Sequence, residues 1–230
     1  MVKRKGRFAQ WLRDERDKIS EIPGTAKKME YIWEYYQLWI IGIVFCIWFV
    51  TFAVRQYTTG LRDYRCFVVF ANTYADAGDH SKLWEDYVEY AGFDLHKESV
   101  RFEANSYFDY LKGVTGNSYF EAFVAYADSG TLDAIVMGRD SMTALGKTGR
   151  LLDLNSDACS SIRAKYGDRF LYAVPFDEEY NGEEVPVCID ISDSRLVSEY
   201  GIYSEPCALG IGALSENVES VELLLDFLFE

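Results

Sequence analysis

The chain is poor in the residues that carry most acid–base and metal chemistry. It has two histidines, His80 and His96, and neither stands near a Cys or Ser in a known catalytic order, so a histidine-dependent triad finds no support. None of its five cysteines forms a CxxC or a zinc-ligand spacing, which excludes a simple redox pair or zinc site. Cys66 and Cys188 sit inside the apolar runs RCFVVF and VPVCIDI, the setting of buried free thiols. The four cysteines other than Cys46 allow three pairings, and unpaired thiols are the simpler expectation. There is no internal repeat and no low-complexity tract. Basic residues are scarce too: 23 Lys and Arg face 37 Asp and Glu, for a net charge of −14. Acids are interleaved even where the basic residues gather, which argues against nucleic-acid binding. From Leu38 to Val54 charged residues are absent altogether.

That uncharged stretch, LWIIGIVFCIWFVTFAV, organises the rest. As a helix its 17 residues span about 25 Å, near the lower limit for crossing a bilayer. A helix is also the one single-segment structure that satisfies its own backbone in hydrocarbon. Tyr31, Trp33, Tyr35, Tyr36 and Trp39 crowd the N-terminal edge, at the level where Trp and Tyr favour headgroups, and Arg55 closes the other end. Residues 1–30 carry nine Lys and Arg against five acids, a net of +4. Residues 56–230 carry 13 basic and 31 acidic residues, a net of −18. The basic flank predicts a cytoplasmic N-terminus and an extracytoplasmic acidic part. VRQYTTG after the span lacks a small-x-small cleavage site, so an uncleaved signal-anchor of a single-pass membrane protein is expected.

The resulting organisation is a cytoplasmic basic segment with its aromatic collar (1–37), a transmembrane helix (38–54), a linker (55–63) and an extracytoplasmic α/β domain (64–230). Met1–Lys28, with Phe8, Trp11, Leu12 and Ile19, reads either as an amphipathic segment on the anionic inner leaflet or as a plain positive-inside tail. The lipid bilayer is the first partner implied.

Beyond the linker, strands alternate with helices. Tyr64–Ala71 is a continuous apolar run, as in a strand buried on both faces. A helix is predicted over His80–Tyr90 with Asp79 as N-cap, and a half-buried strand over Ser99–Ala104. Ser118-Tyr-Phe-Glu121 fits a capping box, Leu132–Met137 a third strand, and Ser141 the cap of a short helix ending near Gly146. Phe170–Val174, Val187–Ile191 and Cys207–Ile211 complete the strands. Glu216–Phe229 reads as an amphipathic closing helix capped by Ser215. This alternation predicts βαβ units and a mainly parallel sheet.

Ligands of such sheets gather at the carboxyl ends of the strands. Three loops qualify: Asn72-Thr73-Tyr74, Asn105-Ser106-Tyr107 and Gly138-Arg139-Asp140-Ser141. Tyr74 and Tyr107 suit stacking on a sugar. Arg139, a cation in an acidic domain, suits either an anionic ligand group or a neighbouring carboxylate. The acidic run Asp177-Glu178-Glu179…Glu183-Glu184 reads as a solvated loop. Acidic pairs such as Asp153/Asp157 and Asp190/Asp193 read as turn formers, and neither a metal nor a cofactor is expected. No catalytic residue stands out.

LDAIVMGRDSMTALGKTGRLLDLNS resembles the first lobe of bacterial extracellular solute-binding proteins, family 1, the receptors of ABC importers. Leu132-Asp133-Ala134-Ile135-Val136 stands at that family's "PDvv" strand, without its proline. Gly149–Leu154 stands at its "G-x-L-x-D-L" turn, one residue longer. Ala173-Val174-Pro175-Phe176 is similar to its "gvPy" strand, and Ile211–Leu228 to its closing helix. The resemblance implies a periplasmic-binding-protein-like lobe that takes a sugar or peptide-class solute and works beside an ABC permease. Two departures stand out. Asn155–Cys207 is too short for a complete second lobe, and no lipobox cysteine follows the hydrophobic segment. The expected function is therefore a tethered, non-enzymatic recognition or accessory component of an importer or sensor. The alternatives are an interaction module of an envelope assembly and, more weakly, an acidic extracellular hydrolase.

Overall fold

The computed structural model describes Gln10 and residues 16–60, 63–176 and 182–230, with the side chains of 55–60 left aside. Most of the basic segment before Arg16 and the start of the acidic run at 177–181 therefore lie outside the described residues. The chain divides into two units, Met1–Leu61 and Arg62–Glu230.

In the first unit, α1 (Thr25–Gly60) is one helix of 36 residues, about 54 Å long at 1.5 Å per residue. It absorbs the aromatic collar, and it runs through most of the expected linker as far as Gly60. It is long and apolar enough to cross a membrane, and none of its most apolar window is buried against the protein. The one hydroxyl of the span, on Thr51, donates to the Ile47 and Trp48 carbonyls at 2.9 and 2.8 Å. It thus needs no outside partner in an apolar medium.

The second unit is α/β, built on β1 (Asp63–Ala71), α2 (Lys82–Ala91), β2 (Glu98–Ser106), α3 (Ser118–Asp128), β3 (Ala134–Gly138), α4 (Arg139–Gly146), α5 (Ser160–Tyr166), β4 (Phe170–Ala173), β5 (Val185–Asp190), α6 (Arg195–Ser198), β6 (Cys207–Ile211) and α7 (Val218–Phe229). The sheet order is β2-β1-β3-β6-β5-β4. β1 pairs in parallel with β2 and β3, but β6, β5 and β4 join antiparallel in turn. The sheet is thus mixed: parallel as expected across β2-β1-β3, and antiparallel from β6 to β4. Only β1 to β3 are linked by helical crossovers; the second half is joined by loops and short helices that let the chain turn back.

From Cys66 to Ala71 β1 is buried on both faces, which explains the apolar run there, while Asp63, Tyr64 and Arg65 are exposed. Cys66, Val68 and Phe70 face a core with Leu83 and Tyr87 of α2 and Val221, Leu224 and Leu225 of α7. Phe67, Val69 and Ala71 face the other core, with Phe123 of α3 and Met142 and Leu145 of α4. Cys66, Cys159, Cys188 and Cys207 are all buried free thiols. At the amino end of β3 the buried Asp133 carboxylate accepts from the Phe67 amide (2.8 Å), the Ser215 hydroxyl (2.6 Å) and the Asn217 amide (3.2 Å). Burial pushes this carboxyl above its ordinary range despite those donors.

The helix starts differ from expectation by small offsets. Ser81, not Asp79, caps α2 through the Trp84 amide. Asp79 turns to β2, where its carboxylate accepts from the Phe102 amide at 2.6 Å. Asn117 caps α3, one residue before Ser118, accepting from the amides of Tyr119 and Phe120. Ser141 lies inside α4, whose cap position is Gly138. Ser215 serves Asp133, and α7 begins after Asn217.

Candidate functional site

β1 and β3 both end at one edge of the sheet, and β6, antiparallel to β3, begins there, with Gly138 opposite Cys207. The chain leaves β1 toward β2 on one side and returns to β3 on the other. The gap between the ends of β1 and β3 is therefore the switch point where open α/β sheets place ligands. A cleft of about 590 Å³ lies there. The chain enters the domain at Asp63, the opposite end of β1.

Asn72 opens the cleft. It turns the chain out of β1 at φ 61°, a left-handed conformation that Asn tolerates better than most residues. Its amide group then donates to the Phe108 carbonyl (2.7 Å) and accepts from the Phe108 amide (3.0 Å), tying the β1 and β2 exits together. Thr73 is buried, and its hydroxyl donates to the Ile202 carbonyl at 2.8 Å. That bond joins the β1 exit to the loop before β6.

From that loop Tyr203 fills the gap itself. Its hydroxyl lies 2.8 Å from both the Ala71 and the Val136 carbonyl oxygens, where the two strands part. Burial holds this phenol protonated well above its ordinary range. The cleft floor is thus a closed, hydrogen-bonded surface.

The walls are polar. The Lys112 ammonium sits 2.9 Å from the Asp109 carboxylate. This contact, helped by the Leu111 amide and the Ser141 hydroxyl, holds Asp109 below the usual carboxylate range. Asp109 in turn raises Lys112, with a smaller contribution from Glu205. The Ser141 hydroxyl lies 3.3 Å from the same carboxylate. At the rim Tyr74 is 94% exposed and stacks on Tyr107 at 5.4 Å between ring centres, and Tyr107 meets Tyr119 edge-on at 5.7 Å.

Of the ten residues expected from sequence, Asn72, Thr73, Tyr74, Gly138 and Ser141 line the cleft. Tyr107 supports Tyr74 from beneath. Asn105 is exposed on β2, and the Ser106 hydroxyl donates to Glu103 at 3.1 Å, so neither reaches the cleft. Arg139 turns away to Asp190 at 3.2 Å, and Asp140 is exposed on the first turn of α4. Ala75, Asp109, Lys112 and the 201–205 loop complete the lining and were not expected. The sequence cue for that loop is its bracketing by Gly201 and Pro206 directly before a strand.

A smaller hollow of about 180 Å³ lies between the start of α2 and β2, lined by His80, Trp84 and Glu98 among others. Its acids are engaged: Asp79 with the Phe102 amide, and Glu98 with Arg65 and the Asp94 amide. Among the described residues no group of His, Cys, Asp and Glu is arranged to hold a metal ion.

Comparison with protein-family models, with curated proteins and with solved structures gives no match. None links the chain to solute-binding proteins.

Proposed function

We propose that this chain is a membrane-anchored recognition protein. α1 is its single signal-anchor span, with the N-terminus cytoplasmic, and the α/β domain binds a small ligand outside the membrane. The cleft at the β1/β3 switch point carries the reading. It combines a fixed polar floor, a few convergent polar groups and an exposed aromatic rim, and its volume suits a sugar, an amino acid or a short peptide.

Binding fits the chemistry better than catalysis. The Lys112 contact, the Leu111 amide and the Ser141 hydroxyl together hold Asp109 below the usual carboxylate range, which suits a charged binding group better than a proton donor. Among the described lining residues there is no histidine or cysteine to activate Ser141. The described strands form one sheet and the cleft lies at one of its edges. Such a recognition domain fits a tethered recognition or accessory component of an ABC-type importer or sensor.

The second reading is an interaction module of an envelope assembly. It is favoured by the exposure of Tyr74 and Leu111, two large apolar groups beside the cleft, at 94% and 61%. In that case the occupant of the cleft is a segment of another protein.

The test is thermal unfolding of the full chain in lipid nanodiscs against sugars, amino acids and short peptides. A ligand at 100 times its Kd adds about 2.7 kcal/mol to stability. The reading expects a shift with one ligand class that is lost in Tyr74→Ala. A flat response across the panel, with a membrane protein co-purifying instead, supports the second reading.

A further inference from the structure

The charged groups of the cleft are few, and their arrangement bears on which ligand it takes. Among the described lining residues they are Asp109, Glu205 and Lys112, a net of one negative charge. The surrounding residues 56–230 carry a net of −18, which adds a repulsive field for anions. An anionic ligand would draw on a cation or a helix N-terminus, and each such source near the cleft is offset by a carboxylate: Lys112 by Asp109, Arg139 by Asp190 and the start of α4 by Asp140. The first amide of α4 donates to the Pro206 carbonyl at 2.9 Å, and Asp140 occupies the helix's first turn, where it offsets the positive end of the dipole.

Lys112 itself is held loosely. Its side chain is 85% exposed while its ammonium sits on Asp109. Exposed ion pairs of this kind contribute little, about 0–1 kcal/mol, so the ammonium is readily displaced. Tyr74, exposed at the rim and backed by Tyr107, offers a ring on which a cation is attracted by the quadrupole.

We propose that the cleft selects an organic cation, an ammonium or guanidinium compound, and that Lys112 occupies the cation's place on Asp109 until the ligand arrives. The incoming charge displaces the Lys112 ammonium into solvent, pairs with Asp109 and Glu205, and lies against the Tyr74 ring. This inference rests on the reading of the cleft as the binding site and adds the charge class of the ligand.

Lys112→Gln makes the inference testable, because a merely structural or ligand-coordinating lysine predicts the opposite outcome. The residue is exposed, so the variant should fold like its parent. Calorimetric titration of the full chain in neutral-lipid nanodiscs uses L-argininamide and choline as cationic probes, glucose as a neutral one and glutamate as an anionic one. The expected result is binding of a cationic probe that weakens as salt rises. That binding tightens about five-fold in Lys112→Gln, the effect of removing one competing surface charge of about 1 kcal/mol. It weakens in Asp109→Asn and in Tyr74→Ala. Binding of glucose or glutamate in place of the cations, lost in Tyr74→Ala, overturns the charge class and leaves the cleft as the site. Cation binding that weakens in Lys112→Gln overturns the displacement. Failure of every probe in both the parent and Lys112→Gln overturns the inference. If Tyr74→Ala also leaves any molecule retained by the purified chain unchanged, the cleft reading falls with it.

Discussion

Tyr203 gives the clearest energetic test of how the cleft floor is built. Its hydroxyl stands 2.8 Å from the carbonyl oxygens of Ala71 and Val136, at the point where β1 and β3 diverge. A phenol has one hydrogen, so it donates to one oxygen at a time and keeps both within reach. Tyr203→Phe preserves the buried ring and removes only this donor. A typical hydrogen bond contributes about 1 kcal/mol net, and stranding a buried acceptor costs about 1–3 kcal/mol. A loss of about 2 kcal/mol is therefore expected. For a unit of this size that lowers Tm by roughly 4–8 °C. Because burial keeps the phenol protonated well above its ordinary range, the loss should be the same at pH 6 and pH 9. Tyr203→Ala, which also leaves a cavity, should cost about 3–5 kcal/mol. The assay is urea and thermal unfolding of the full chain in nanodiscs, followed by circular dichroism. If Tyr203→Phe lies within about 0.5 kcal/mol of the parent, the range of a neutral surface change, the bridging role is refuted.

Further expectations follow from packing and charge. A Cβ at Gly212 would overlap the Leu132 carbonyl oxygen, which is backbone and cannot swing aside. Gly212→Ala should therefore cost about 2 kcal/mol or more in the same unfolding assay. Burial pushes the Cys188 and Cys207 thiols up to about 12, and raises Cys66 and Cys159 as well. In the native chain at pH 8 these four should resist alkylation by iodoacetamide, and should react once urea unfolds the domain; rapid native labelling on mass mapping would contradict their burial. Asp193 is held below the ordinary carboxylate range chiefly by its bond from Arg169. A carboxylate lowered in the folded state contributes stability above its unfolded pKa and loses it as pH falls through the folded one. Asp193→Asn should therefore lower Tm slightly at pH 7, with the difference from the parent vanishing near pH 2. A difference that persists at pH 2 would mean that the residue acts through packing instead.

Much of the fold is legible in the sequence, for a reason visible in β1. A strand covered on both faces must be apolar where it is covered, so CFVVFA announces both its type and its interior place. The amphipathic stripe of α7 and the strand sequence CALGI are read the same way. The direction of the second half is not legible, because β6 pairs antiparallel to β3 through contacts distant in sequence, such as Leu209 opposite Val136. Sequence patterns report burial and period, and parallel and antiparallel central strands look alike in both.

The candidate site divides along the same line. Asn72, Thr73 and Tyr74 follow β1, and Gly138 ends β3, so the switch-point rule finds them. The opposite wall arrives with the return loop of β6, and Tyr203 reaches the switch point only because that strand runs backward. For Arg139 the sequence allows either an anionic ligand or a carboxylate partner. The carboxylate it takes, Asp190, lies 51 positions away, and only the folded sheet shows the pairing.

The central claim, a ligand-binding cleft at the β1/β3 switch point, is tested most directly by native mass spectrometry. The full chain would be released from nanodiscs after gentle purification, alongside Tyr74→Ala. The account expects a small molecule that stays with the parent chain, is lost or reduced in the variant, and leaves the circular dichroism of both chains unchanged. A parent chain that carries nothing and is indistinguishable from Tyr74→Ala, even after incubation with the probe panel, would contradict it.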